Sequence, residues 1–167
     1  MSHFLGTHTN RIDAKGRVSI PAPFRAALRA LAVDGAPPLV LRTSHKHACI
    51  ECWPARYFEE LAPPLERMDV FDDDHDDLAM ALYPDAAHFD PDKEGRIALP
   101  DDLAKHANLG ETVFFMGLGR TFQIWEPLAA ERARSAARDR ARFKRLTLRS
   151  SPAQTVSPVA ASPEVAE

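Results

Sequence analysis

The chain has 167 residues, 45% of them apolar and 27% charged, enough to bury a core in one large domain or two small ones. No uncharged apolar run nears the roughly 18 residues of a membrane helix, and the opening MSHFLGTHTN lacks the charged and apolar regions of a secretory signal, so neither a membrane span nor export is expected. Two cysteines exclude a disulfide scaffold and fit a reducing cytoplasm. The net charge of −3 is unevenly distributed: residues 1–42 hold six Lys/Arg against two Asp/Glu, residues 43–110 six against sixteen, and residues 111–150 nine against four. Basic ends around an acidic middle leave a polyanionic partner open, because local fields and not the average steer one.

In chain order, Asn10–Pro21 reads NRIDAKGRVSIP. Val18 and Ile20 alternate with smaller residues, the period of a half-buried strand, and Gly16 makes the turn of a strand–turn–strand hairpin. Pro21-Ala22-Pro23 opens a helix through about Leu31, since proline is tolerated in a first helical turn. Leu39–Arg42 and Ala48–Trp53 form a second hairpin. Pro54 opens a helix with Phe58, Leu61, Ala62 and Leu65 on one face. Met68–Tyr83 reads as a linker helix, preceded or begun by the acidic run Asp72–Asp77.

From there the chain repeats itself. Residues 92–100, DKEGRIALP, match residues 13–21, DAKGRVSIP, at a constant offset of 79. Downstream, Leu39-Val40-Leu41 matches Val113-Phe114-Phe115 in kind, and Trp53 answers to Trp125 at an offset of 72. The first copy therefore carries about six extra residues near Leu31–Pro38. Two copies of this length fit a duplication that builds a pseudo-symmetric unit, and are too few for a solenoid. A helix from about Pro127 ends the second copy, with Arg132, Arg134, Arg138, Arg140, Arg142, Lys144, Arg145 and Arg149 around most of its circumference. It reads as a solvated helix or as a phosphate-tracking arm. From Ser150 the chain is Ser-, Pro-, Ala- and Val-rich without aromatics, the composition of a disordered tail.

The Asp-x-x-x-Arg motif is the centre of the functional reading. Gly supplies the positive φ of a tight turn, Asp bonds the turn amides, and Arg four residues on pairs with that Asp. Duplicated, the same motif offers two hairpin tips whose Arg forks match phosphate and guanine edges, with Asp13 and Asp92 orienting Arg17 and Arg96. Arg11, Lys15 and Lys93 add cations beside them. A zinc reading of His45, His47 and Cys49 rests on three side chains on one strand face. It is set aside because the matching Met116–Trp125 segment has no His or Cys, and because His45 and His47 fall in a turn. The run Asp72-Asp73-Asp74-His75-Asp76-Asp77 lacks the glycine and terminal Glu of a calcium loop and reads as the N-terminus of a helix. With no phosphate loop, nucleophile elbow or H-E-x-x-H motif, a non-enzyme is expected, with no catalytic residue, metal or cofactor.

Asn10–Pro21, its copy Asp92–Pro100 and the trailing aromatic hairpins resemble the MraZ family of bacterial transcriptional regulators over roughly residues 1–145. The resemblance implies an α+β fold of two tandem AbrB-like swapped-hairpin βαβ modules, interlocked into a pseudo-symmetric barrel-like unit with flanking helices. On this reading residues 1–66 are the first repeat, 67–84 an acidic helical linker, 85–149 the second repeat with its basic helix, and 150–167 the tail. It also implies a repressor of the division and cell-wall gene cluster, cytoplasmic and nucleoid-associated. Such a protein binds short direct repeats of double-stranded DNA in its own promoter as a homo-oligomer, in a ring. The DNA-binding set is then Arg11, Asp13, Lys15, Arg17, Asp92, Lys93 and Arg96. Two other classes stay open: an AbrB-like antitoxin or transition-state-type regulator with a different partner, and a metal-dependent enzyme built on His45, His47, Cys49 and the acidic run.

Overall fold

A computed structural model describes residues 3–148; Arg149 and the tail expected over 150–167 lie outside the described residues. In chain order the elements are β1 (Thr7–Arg11), β2 (Arg17–Ser19), α1 (Ala22–Leu31), β3 (Leu39–Thr43), β4 (Ile50–Pro54), α2 (Ala55–Glu59), α3 (Ala62–Glu66) and α4 (Asp73–Leu82), then β5 (Ala87–Phe89), β6 (Arg96–Ala98), α5 (Asp101–His106), β7 (Thr112–Gly117), β8 (Phe122–Trp125) and α6 (Pro127–Phe143). The fold is α+β with antiparallel sheets. Six strands run in the order β1-β7-β8-β4-β3-β5, and β2 pairs with β6 in a separate two-stranded ribbon.

The pairing crosses between the two copies. β1, from the first copy, lies on β7 of the second, with Thr7 opposite Met116 and Arg11 opposite Thr112. β5, from the second, lies on β3 of the first, with Leu39 opposite Phe89. The two copies also meet at β4 and β8, where Ile50 faces Ile124. In the ribbon Val18 faces Ile97, and each end is closed by a bond to the other copy's turn: Ile20 N–H donates to Gly95 O at 2.9 Å and Leu99 N–H to Gly16 O at 3.0 Å. The expected hairpins at Gly16 and Gly95 therefore keep their turns but not their pairing. The strand before each turn joins the large sheet, and the strand after it pairs with its counterpart.

The larger core cluster among the described residues is filled from both copies: Phe4, Val18, Ile20, Phe24, Leu28, Leu39, Leu41, Ile50, Ile97, Leu103, Phe115, Phe122 and Ile124 among others. Phe24 sits at its centre, edge-on to Phe4 at 5.4 Å and tilted against Phe122 at 5.1 Å. A smaller cluster of Cys49, Met116, Trp125 and Ala130 seats α6 on the opposite side of the sheet. Within α6 only Ala130 is buried, Glu126 caps the helix by accepting from Leu128 N–H and Ala129 N–H, and Arg134 lies half-buried over the Phe114 ring at 5.9 Å while Arg132, Arg138 and Arg140 are exposed.

Two expected helices differ from the sequence reading. The helix from Pro54 is broken into α2 and α3, because Pro63 and Pro64 remove two amide donors in succession; of its supposed apolar face only Leu65 is buried. The linker helix begins at Asp73, not Met68, with Asp72 as its cap, its side chain accepting from Asp74 N–H.

Candidate nucleic-acid interface

Each Asp-x-x-x-Arg segment folds into the same closed turn. Asp13 N–H donates to Arg17 O and Gly16 N–H to Asp13 O; Asp92 N–H donates to Arg96 O and Gly95 N–H to Asp92 O. The glycines lie at φ +75° and +77°, the left-handed region that a side chain disfavours. The carboxylate completes the turn. Asp13 Oδ1 accepts from the Lys15 and Arg17 amides at 2.9 and 2.8 Å, and Oδ2 accepts from Arg17 Nε at 2.8 Å. Asp92 does the same with the Glu94 and Arg96 amides at 3.0 and 2.8 Å and with Arg96 Nε at 2.8 Å. The Arg17 amide, partly opposed by desolvation and reinforced by the guanidinium, holds the Asp13 carboxyl below its usual range; the Arg96 amide does so for Asp92. The bond to Asp92 raises the pKa of Arg96 further still.

The ribbon carries both turns to one surface. Val18 and Ile97 point into the core at 1% and 3% exposure, so by strand alternation Arg17, Ser19, Arg96 and Ala98 occupy the outer face. Because β2 and β6 are antiparallel and three residues long, the turns sit at opposite ends of a short ribbon, close enough for Asp13 to act on Arg96. Both arginine side chains are 31% exposed, and each guanidinium is oriented by its Nε bond to Asp13 or Asp92. Asn10 links the large sheet to this ribbon by donating Nδ2–H to Ser19 O at 2.6 Å.

Of the residues singled out from sequence, Asp13, Lys15, Arg17, Asp92, Lys93 and Arg96 come together at the ribbon, with Lys15 and Lys93 exposed at the tips. Arg11 is at the end of β1, where it pairs with Glu111 at 3.5 Å. Sequence reasoning missed two residues that bear on the second turn. Arg25 of α1 donates Nη1–H to Glu94 O at 2.7 Å, and Glu94 accepts from Arg96 Nη2 at 3.0 Å. The signal for Glu94 was in the repeat itself: at an offset of 79 it answers to Lys15, so the two copies differ in charge at the tip. Beside this turn a cavity of about 350 Å³ is lined by Arg25, Arg29, Pro91, Lys93 and Gly95 among others.

The residues of the zinc reading are placed otherwise. His45 lies beside buried Arg42, His47 packs on Trp125, and Cys49 is buried, its thiol pushed up to about 12 by desolvation. Among the described residues no group of three or more His, Cys, Asp or Glu is placed to hold a metal ion, and no helix is long and apolar enough to cross a membrane.

The profile of a family described as "MraZ protein, putative antitoxin-like" matches the chain twice, over residues 3–80 and 82–149. The chain is 63% identical over 142 residues to the transcriptional regulator MraZ of Gluconacetobacter diazotrophicus, covering 85% of this chain and 90% of that protein. It is 61% identical over 142 residues to the protein of the same name from Gluconobacter oxydans, covering 85% and 87%. With the one from Pelagibacter ubique it shares 36% over 146 residues, covering 87% and 92%. The chain belongs to the MraZ family.

Proposed function

We propose that this member of the MraZ family is a transcriptional regulator, cytoplasmic and without enzymatic activity, that binds double-stranded DNA with the outer face of its β2–β6 ribbon. One observation carries the reading. Two Arg forks, each preset by an Asp through its Nε, stand on one short ribbon whose other face is sealed into the core. A two-stranded ribbon fits the major groove, and an Arg fork bonds a guanine edge or a phosphate pair. Pre-orientation lowers the entropy lost when the fork engages. Lys15 and Lys93 at the tips contact phosphate, and Arg11 extends the cationic rim.

The cross-copy pairing supports the finer architecture as well: two AbrB-like modules, 1–66 and 85–149, exchange strands into one pseudo-symmetric unit, joined by the acidic segment 67–84. Few cations serve each unit, so useful affinity comes from several chains on successive copies of a short site, a homo-oligomer on direct repeats in its own promoter. The regulated genes are then its own division and cell-wall cluster, and the action repression. The test is a footprint of the purified protein on the DNA upstream of its own gene. Periodic protection is expected, lost in Arg17→Ala and Arg96→Ala while both variants melt like wild type. Variants that melt far lower would make the Asp–Arg pairs structural only.

A further inference from the structure

The two turns present different chemistry at their tips. Arg17 is held by the carboxylate of Asp13, and the residue two positions before it is Lys15. Arg96 is held by two: Nε by Asp92 at 2.8 Å and Nη2 by Glu94 at 3.0 Å. Glu94 does not sit there by chance of a loose loop. Its carbonyl is fixed by Arg25 Nη1 at 2.7 Å, and the Arg25 side chain lies over Gly95, leaving no room for even a Cβ. Among the described residues neither restraint exists at the first turn, where the position matching Arg25 is Ala104 and a Cβ on Gly16 would meet Leu99 O at 4.0 Å. Glu94 itself is 67% exposed, so its carboxylate is available to a ligand.

A guanidinium and a carboxylate held edge to edge present donors followed by an acceptor. The major-groove edge of a G·C pair presents the complement: N7 and O6 of guanine accept, and N4–H of cytosine donates. A·T pairs do not offer that order. A carboxylate also repels phosphate, which a tip meant only for affinity would avoid. We propose that Glu94 is a specificity-determining residue: Arg96 takes the guanine and Glu94 accepts from the amino group of its paired cytosine, while the Lys15–Arg17 turn supplies affinity with less selection. This rests on the ribbon being the DNA-binding face.

The experiment selects a duplex from random sequence with the wild-type chain. It then measures Kd for that duplex and for a scrambled one, with wild type, Glu94→Ala and Lys15→Ala. Glu94→Ala should tighten the scrambled duplex about two- to fivefold by removing the repulsion, and lower the matched-to-scrambled ratio about fivefold or more. Lys15→Ala should weaken both duplexes alike. A second arm replaces cytosines of the selected site one at a time with pyrimidin-2-one, which keeps its ring but lacks the 4-amino group. One such position should cost wild type about fivefold and Glu94→Ala less than twofold. An unchanged ratio, or no position where the variant is the less sensitive, overturns the proposal while leaving the DNA reading standing. Failure of wild type to enrich any sequence overturns both.

Discussion

The turns at Asp13–Arg17 and Asp92–Arg96 have the same hydrogen bonds at nearly the same lengths, yet one is open and the other is covered. Asp, Gly and Arg build the turn and recur in both copies. The tip residue and the helix residue above it do not build it, and there the copies differ: Lys15 against Glu94, and Ala104 against Arg25. The duplicated unit thus keeps its turn geometry at the residues whose bonds both copies share and differs at residues whose bonds, Arg25 to Glu94 O and Arg96 to the Glu94 carboxylate, occur at the second turn alone among the described residues. The shared geometry and the asymmetric surface come from different positions, the one from Asp, Gly and Arg of each turn, the other from the tip residue and from a residue of the helix packed over it.

The strongest blow to this comparison falls beneath both turns. Ile97→Ala should cost about 2–4 kcal/mol in urea unfolding, because the side chain is buried against Val18 at the ribbon seam. Both turns should loosen together; if the first stays intact by backbone amide exchange, the seam is not their shared foundation. Next, Arg17→Ala should weaken matched DNA by about 1–3 kcal/mol and scrambled DNA appreciably, whereas Arg96→Ala should act mainly on the matched duplex. Equal profiles for the two variants in gel-shift titrations would erase the distinction. A smaller contrast separates the glycines. Gly16→Ala should cost about 1–2 kcal/mol for its positive φ alone, and Gly95→Ala more, because Arg25 must also withdraw. Adding Arg25→Ala to each should close the gap in denaturant midpoint.

Acid should treat the two turns alike. Asp13 and Asp92 have folded-state pKa values below their unfolded ones, so the stability they lend is full above the ordinary carboxylate range, near about 4, and is lost as pH falls through the lowered folded values. Asp13→Asn and Asp92→Asn should each flatten the acid limb of a stability-against-pH curve by a similar small amount. A limb unchanged in both variants would mean the carboxylates do not hold their turns in solution.

Much of this was legible in the residues. The repeated DxxGR, with its internal Asp–Arg bond, is local, and local bonding is what spacing reports. The alternation of Val18 and Ile20, the helix opened at Pro21 and the hairpins β3–β4 and β7–β8 were likewise readable, since each depends on near neighbours. The partners of β1 and β5 were not. Thr7–Arg11 is half-exposed and polar, and its bonds go to a strand in the other copy, a register fixed by closure of the whole unit and not by its own pattern. Arg25 was invisible for the same reason: its target, Glu94 O, lies 69 positions away.

That exchange of strands also sets the order in which the protein can be made. Thr7 leaves the ribosome long before Met116, the residue it must face, and Leu39 before Phe89. Contacts this distant in sequence form slowly, and until they form the first half carries open strand edges. A nascent chain that has reached only Leu82 holds β1 and β2 without their β7 and β6, and its own copy contains the matching types: β3 stands where β7 stands, and β2 where β6 does. A second copy of the fragment supplies those matching strands, so a chain truncated after Leu82 should dimerise, with twice its monomer mass by light scattering, and a monomeric folded fragment would show that the seam closes another way.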